Sequence, residues 1–130
     1  MVLVLINFFF FFQDAFPLVL TGYTDDTKAI MIFAPDNRSS LYSQSITMLT
    51  HDPLGLDNRN IIIFEVFSEG GIGPDGESYT SVEVASIRRH FNIMPAEFNI
   101  LLSHKNFQEI FRSDKPLTVH EIFLKFDEAD

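Results

Sequence analysis

The chain has 130 residues, 46% of them hydrophobic, and its 9 basic and 18 acidic side chains give a formal net charge of −9. This length fits a single domain. The negative charge argues against binding to nucleic acid or to an anionic membrane, because no cluster of basic residues stands out against it. The chain has no cysteine, which excludes disulfides, thiolate nucleophiles and cysteine-ligated zinc or iron–sulfur centres.

The N-terminal segment, residues 1–12, is apolar except for Asn7 and contains five consecutive phenylalanines, Phe8 to Phe12. Twelve residues are too few to span a bilayer, which takes about twenty. The length suits the apolar core of a secretory signal with Ala15 near the cleavage point, although no basic residue precedes it. A buried first strand is the alternative. We assign residues 1–15 to a signal or hydrophobic leader and expect no stable membrane span in the mature chain.

Strands and a helix alternate at the start of the domain. Residues 29–33 are a short apolar run that predicts a strand buried on both faces and closed by Ala34-Pro35-Asp36. Apolar residues at helical spacing over residues 38–49 predict a helix that ends at Asp52-Pro53. Residues 61–67 are β-branched and aromatic and predict a second strand. Two strands joined by a helix form a parallel βαβ unit.

The second half of the domain adds two helices and a hairpin. The glycine-rich residues 68–78 predict a loop, which lacks the Gly-Lys-Ser/Thr ending of a phosphate-binding loop. Capping boxes begin a helix at Thr80 with Glu83 and another at Thr118 with Glu121. Residues 98–102 and 107–111 predict two further strands around a tight turn. The order β-α-β-α-β-β-α predicts an α/β, thioredoxin-like fold with a central mixed four-stranded sheet.

Short motifs follow one another along the chain: Phe33-Ala34-Pro35-Asp36, Gln44, Leu54-Gly55-Leu56 with Arg59, Ile87-Arg88-Arg89-His90-Phe91, Leu102 with Lys105-Asn106, and Phe111-Arg112-Ser113. In order and spacing they resemble the domain-of-unknown-function 4174 family over residues 17–127. That family includes bacterial exported proteins and the peroxiredoxin-like domain of vertebrate sushi-repeat matrix proteins. The resemblance implies a thioredoxin/peroxiredoxin-like domain and an exported location, periplasmic or secreted, without an established activity.

The sequence departs from the family pattern at one turn and at the C-terminal end. The family's Lys-Asp-Gly-Gly turn corresponds to Lys105-Asn106-Phe107-Gln108, which has neither glycine, and a family lysine falls on Ile110. The family's basic C-terminal motif is replaced by residues 126–130, which end Glu-Ala-Asp. A function that depends on a basic turn or tail is therefore in doubt for this chain.

The segment from Ala34 to Ser40 also resembles thioredoxin's Ala-Pro-Trp-Cys-Gly-Pro-Cys. Asn37 and Ser40 stand where the two cysteines would be, and neither can form a thiolate. Pro95 resembles the cis-proline that faces that site, or is an ordinary trans proline in a loop. The resemblance therefore implies a thioredoxin-like site without thiol redox chemistry.

Other side chains give weaker indications of chemistry. The four histidines are scattered along the chain, so they do not supply the three or four convergent donors of a metal site. The Gly-x-Ser-x-Gly motif of hydrolases is absent. Glu65 lies within an apolar strand, where we expect exposure at an edge or strand end; the alternative is a buried acid/base group. We expect no catalytic residue, metal ligand or cofactor.

Basic side chains fall at both poles of the predicted sheet. Antiparallel pairing of the third strand places Arg59 and Lys105 at one pole, and the fourth strand returns Arg112 to the other, beside Asp36-Asn37-Arg38. Arg59 and Arg112 could contact an anion or partner, or serve as structural ion pairs and carbonyl clamps. The candidate binding residues are Asp36, Asn37, Arg38, Arg59, Lys105 and Arg112.

These observations favour an exported, non-catalytic interaction module that uses the Asp36–Ser40 loop to recognise another protein or an envelope component. One alternative is a non-thiol enzyme with its site at this loop and Arg112, and another is a structural envelope subunit. A pocket with convergent polar groups at the loop favours the enzyme, whereas a flat surface favours the interaction module.

Overall fold

The computed structural model describes residues 16–130, so the predicted leader at residues 1–15 lies outside the described residues. A short 3-10 turn (Leu18–Leu20) precedes the sheet. The elements that follow are β1 (Lys28–Phe33), α1 (Ser40–Leu49), α2 (Pro53–Asn58), β2 (Ile61–Val66), β3 (Gly71–Ile72), β4 (Ser78–Tyr79), α3 (Ser81–Phe91), β5 (Asn99–His104), β6 (Gln108–Ser113) and α4 (Val119–Ala129). The six strands form one sheet in the order β4-β3-β2-β1-β5-β6.

Strand β1 lies at the centre of the sheet and is buried on both faces, as its continuous apolar run predicts. It pairs in parallel with β2 and antiparallel with β5. Residues 29–33 are at most 1% exposed. Met31 packs in the layer that contains α3, whereas Ile30 and Ile32 pack in the layer that contains α1 and α4. The alternation of side chains along one strand therefore builds both halves of the core.

Helices α3 and α4 begin where the sequence predicts. The Thr80 and Thr118 hydroxyls each accept a hydrogen bond from the backbone amide three residues on, and the Glu83 and Glu121 carboxylates each accept one from the amide of the threonine. These reciprocal bonds satisfy amides that a helix start leaves without intrahelical partners. Both predicted capping boxes are confirmed.

The α/β fold class is confirmed, and the element order is compatible with a thioredoxin-like arrangement, but the sheet has six strands instead of four. The additional pair, β3 and β4, forms a hairpin within the glycine-rich segment predicted as a loop. A side chain on Gly71 would collide with the Glu65 carbonyl, and Gly76 adopts φ +84° in the turn. These glycines therefore allow a strand pair to form beside β2.

Helix α2 is a second departure from the sequence prediction. Asp52-Pro53, expected only to end the first helix, also begins α2: the Asp52 carboxylate accepts a bond of 2.9 Å from the Gly55 amide. Proline is favoured at the first helical turn because its missing N–H would be unpaired there. Pro95 is a trans proline, because residues 16–130 contain no cis peptide bond.

The turn between β5 and β6 places three consecutive non-glycine residues in the left-handed region. Lys105, Asn106 and Phe107 have φ values of 52°, 61° and 59°. The Phe107 side chain is only 3% exposed and lies 5.8 Å from the ring of Phe64 and 5.9 Å from that of Tyr23. Packing of this ring therefore compensates for a backbone conformation that a bulky residue rarely adopts.

Glycine substitutions in this turn separate packing from backbone strain. Phe107→Gly loses a buried ring, at a cost of about 3–5 kcal/mol, and relieves about 1–2 kcal/mol of left-handed strain. We expect a net loss of about 2 kcal/mol in the free energy of unfolding, measured by denaturant titration. Lys105→Gly is the matched control: Lys105 is exposed, so this change should leave stability unchanged or raise it by up to about 1 kcal/mol. Equal shifts in the same direction would contradict the assigned role of the ring.

Candidate functional site

The Asp36–Ser40 loop connects β1 to α1 and is fixed by its own polar groups. The Asp36 carboxylate accepts a bond of 2.8 Å from the Arg38 amide, and the Asp36 carbonyl accepts one of 3.4 Å from the Ser39 amide. The Ser39 hydroxyl caps α1 by accepting a bond of 3.4 Å from the Tyr42 amide. Aspartate and serine are favoured in turns and helix caps because their side chains accept such bonds. The local sequence therefore specifies the loop conformation.

The segment after β2 holds the start of this loop in place through hydrogen bonds. The carbonyl of Pro35 accepts bonds from the Ser68 amide at 3.1 Å and the Ser68 hydroxyl at 2.8 Å. Arg88, on α3, donates to the carbonyl of Ser68 at 3.0 Å and also to that of Phe67. Burial lowers the pKa of the Arg88 guanidinium, which is 8% exposed. The segment after β2 and helix α3 therefore hold the backbone at the start of the loop.

On the other face of the sheet, Glu65 makes a contact that connects β2 to α1. It pairs with Ile32 on one side and Ile72 on the other, so β2 is not an edge strand at this position, because the unforeseen β3 covers it. Glu65 is the penultimate residue of β2 and is half-buried. The Tyr42 hydroxyl donates to the Glu65 carboxylate. Burial, together with this carboxylate, raises the pKa of Tyr42. The pair links α1 to β2 and gives Glu65 a structural hydrogen bond.

The side chains of Asn37 and Arg38 project from the braced loop. Both residues are exposed, and within residues 16–130 neither side chain forms a hydrogen bond or an ion pair. The Asp36 carboxylate, by contrast, is used to fix the turn. The loop therefore presents an amide and a guanidinium that are available to another molecule.

Arg112 lies on β6, two strands from β1, where it pairs with Leu101 of β5. Its guanidinium donates to the carbonyl of Phe91 at 2.7 Å and to the carboxylate of Glu109 at 2.6 and 3.0 Å. In residues 16–130, no hydrogen bond or ion pair joins Arg112 to the Asp36–Ser40 loop. This geometry corresponds to the structural alternative for Arg112, an ion pair combined with a carbonyl clamp.

Arg59 and Lys105 lie at the opposite pole of the sheet. Arg59 precedes β2, forms an ion pair of 2.7 Å with Asp127 and places its guanidinium 4.1 Å from the ring centre of Phe123. It also lines a cleft of about 620 Å³, here called the charged cleft, whose other walls include Lys28. Lys105 is exposed in the β5–β6 turn and does not line the cleft. Arg59 thus connects β2 to α4, whereas Lys105 projects into solvent.

A second concavity, here called the aromatic groove, lies between the end of α3 and the β5–β6 turn. Its volume is about 510 Å³. His90 lies in its wall, and burial lowers the pKa of this imidazole, favouring the neutral form. Its lining includes Phe16, His90, Phe91, Asn106, Phe107 and Arg112.

Residues 16–130 contain neither a cluster of metal-binding side chains nor a helix that could cross a bilayer. In that range no group of three or more histidine, aspartate or glutamate side chains could hold a metal ion. None of its helices is long and apolar enough to cross a bilayer.

The bracing residues are the part of the site that sequence reasoning did not identify. Ser68 lay in a segment predicted to be a flexible loop, and Tyr42 was assigned only to an apolar helix face. Arg88 did carry a signal, since it lies in the motif Ile87-Arg88-Arg89-His90-Phe91, but its carbonyl partners become visible only in the folded chain.

Comparison with known proteins agrees with the motifs. The human sushi repeat-containing protein SRPX2 is 27% identical over 113 residues, which are 85% of this chain and 24% of the human protein. The rat protein of the same name is 26% identical over 113 residues, which again are 85% of this chain and 24% of the relative. The chain therefore spans about a quarter of the length of these curated relatives. A family model described as a domain of unknown function, DUF4174, matches residues 10–130, and the chain belongs to that family.

Proposed function

We propose that this domain is an exported, non-catalytic binding module whose Asp36–Ser40 loop recognises a partner protein or an envelope component. The observation that carries the proposal is the contrast within the loop. Its backbone is fixed by Ser68 and Arg88, whereas the side chains of Asn37 and Arg38 are exposed. A rigid backbone that displays free donors loses little conformational entropy on binding.

The chemistry of the loop favours binding over catalysis. Without cysteine, thiol redox turnover is impossible at the positions of Asn37 and Ser40. Arg112, the cation invoked for a non-thiol enzyme, is engaged by Glu109 and the Phe91 carbonyl. A general acid or base needs a titratable group within reach of a substrate. The only such side chain in the loop, the Asp36 carboxylate, is bonded to the Arg38 amide.

Two features support an exported location. The apolar run at residues 1–12 suits a secretory signal core, and the family resemblance includes exported bacterial proteins. The partner is accordingly sought among envelope or extracellular components. In this proposal Arg59 serves to attach α4 through Asp127, and Lys105 is a peripheral cation.

The proposal is tested by affinity capture from the envelope and secreted fractions of the source cells. The wild-type domain is compared with Asn37→Ala/Arg38→Ala. We expect the double variant to lose at least about tenfold in affinity for the captured partner, or about 1.4 kcal/mol. Binding is then measured with the purified partner by calorimetry.

The matched control is Asn58→Ala/Lys105→Ala, which removes one exposed amide and one exposed cation at the opposite pole of the sheet. This variant should bind like the wild type, and both double variants should unfold at the wild-type denaturant concentration. Undiminished binding by the loop variant would exclude the Asp36–Ser40 loop as the recognition surface.

A further inference from the structure

The charged cleft lies at the opposite pole of the sheet from the Asp36–Ser40 loop and takes no part in the recognition proposed there. Its volume of about 620 Å³ falls within the range of small-molecule sites, about 300–1,000 Å³. We propose that the cleft binds a small monocarboxylate through Lys28 and His104, in competition with the side chain of Asp130. The proposal does not depend on the function assigned to the loop.

The Asp130 side chain shows how a carboxylate fits between the two basic groups. One of its oxygens lies 3.3 Å from Lys28 Nζ, and the other lies 3.6 Å from His104 Nδ1. Lys28 begins β1 and His104 ends β5, so two paired strands of the sheet fix the positions of these residues. The His104 side chain is only 8% exposed. The wall of the cleft therefore presents two basic groups at a spacing that suits the two oxygens of one carboxylate.

Asp130 is a loosely held occupant of this position. Both of its contacts are longer than the distance of about 2.7–2.9 Å that is usual between a cationic donor and a carboxylate. Asp130 follows the last residue of α4, and its side chain is 47% exposed. Arg59 holds α4 through Asp127 at 2.7 Å, so the helix stays attached when the Asp130 side chain moves away. A free carboxylate can therefore displace Asp130 and approach Lys28 and His104 more closely.

The other walls of the cleft favour one class of carboxylate. Asp26 and Asp57 add negative charge to the lining, and the chain has a net charge of −9, so a multiply charged anion such as phosphate is disfavoured. Tyr23 and Ile61 give the cleft aromatic and aliphatic surface, and Ile61 pairs with Lys28 in the sheet. A ligand with one carboxylate and an apolar or aromatic body therefore matches the cleft.

Titration with benzoate, followed by the amide chemical shifts in NMR spectra, tests the proposal. Asp130→Asn removes the competing charge and keeps the shape of the side chain. We expect this variant to bind benzoate at least about fivefold more tightly than the wild type, with saturable shifts at Lys28 and His104. Glu128→Gln is the matched control, because it removes the same charge near the end of α4 but Glu128 pairs with Lys125 outside the cleft. This control should bind like the wild type, and equal affinities in the two variants would overturn the proposal.

Further comparisons in the Asp130→Asn background separate carboxylate recognition from other binding. Benzamide has the same ring without the charge, and we expect it to bind at least about tenfold more weakly than benzoate. Adding Lys28→Met keeps the apolar stem, removes the ammonium and should weaken benzoate binding at least about tenfold. Equal binding of benzamide, tighter binding of inorganic phosphate, or full affinity after Lys28→Met would each overturn the proposal. The loop residues are unaltered throughout, so failure here leaves the recognition proposal untouched.

Discussion

The position of the candidate recognition surface depends on one interaction, the contact of the Arg88 guanidinium with the carbonyls of Phe67 and Ser68. Arg88 is buried on α3 and no acidic side chain in residues 16–130 pairs with it, so these carbonyls compensate for the desolvation of its charge. Ser68 in turn donates twice to Pro35. One side chain thereby ties α3 to the segments that follow both parallel strands.

The two poles of the sheet are stabilised in different ways. Hydrogen bonds fix the loop at one pole, and ion pairs hold the end of α4 at the other. Around the Asp36–Ser40 loop, internal hydrogen bonds use the backbone and leave Asn37 and Arg38 exposed. At the opposite pole, ion pairs from Arg59 and Lys28 reach Asp127 and Asp130 at the end of α4. Basic side chains therefore serve different purposes at the two ends of one sheet, although the sequence presents them as equivalent candidates.

Sequence patterns predicted the elements whose formation is locally determined. A continuous apolar run was enough for β1, and reciprocal caps were enough for α3 and α4. They missed β3 and β4 because two-residue strands have no periodicity and form only by pairing, β3 with β2 and β4 with β3. The conformation of Phe107 could not be predicted from the sequence either, because a bulky residue adopts φ 59° only when tertiary packing stabilises it. The partners of Arg112 and Arg88 are backbone carbonyls distant in sequence, which no side-chain pattern reveals.

Amide hydrogen exchange at Ser68 tests most directly whether Arg88 fixes the two segments. In Arg88→Met the apolar stem is kept and the guanidinium lost, and we predict that exchange at the Ser68 amide accelerates at least tenfold more than at Met31 in β1. Arg89→Met, at an exposed neighbour, should leave both amides at wild-type rates. Equal acceleration at Ser68 and Met31 in Arg88→Met would mean that Arg88 supports the fold as a whole, and would contradict its assignment as the brace of the loop.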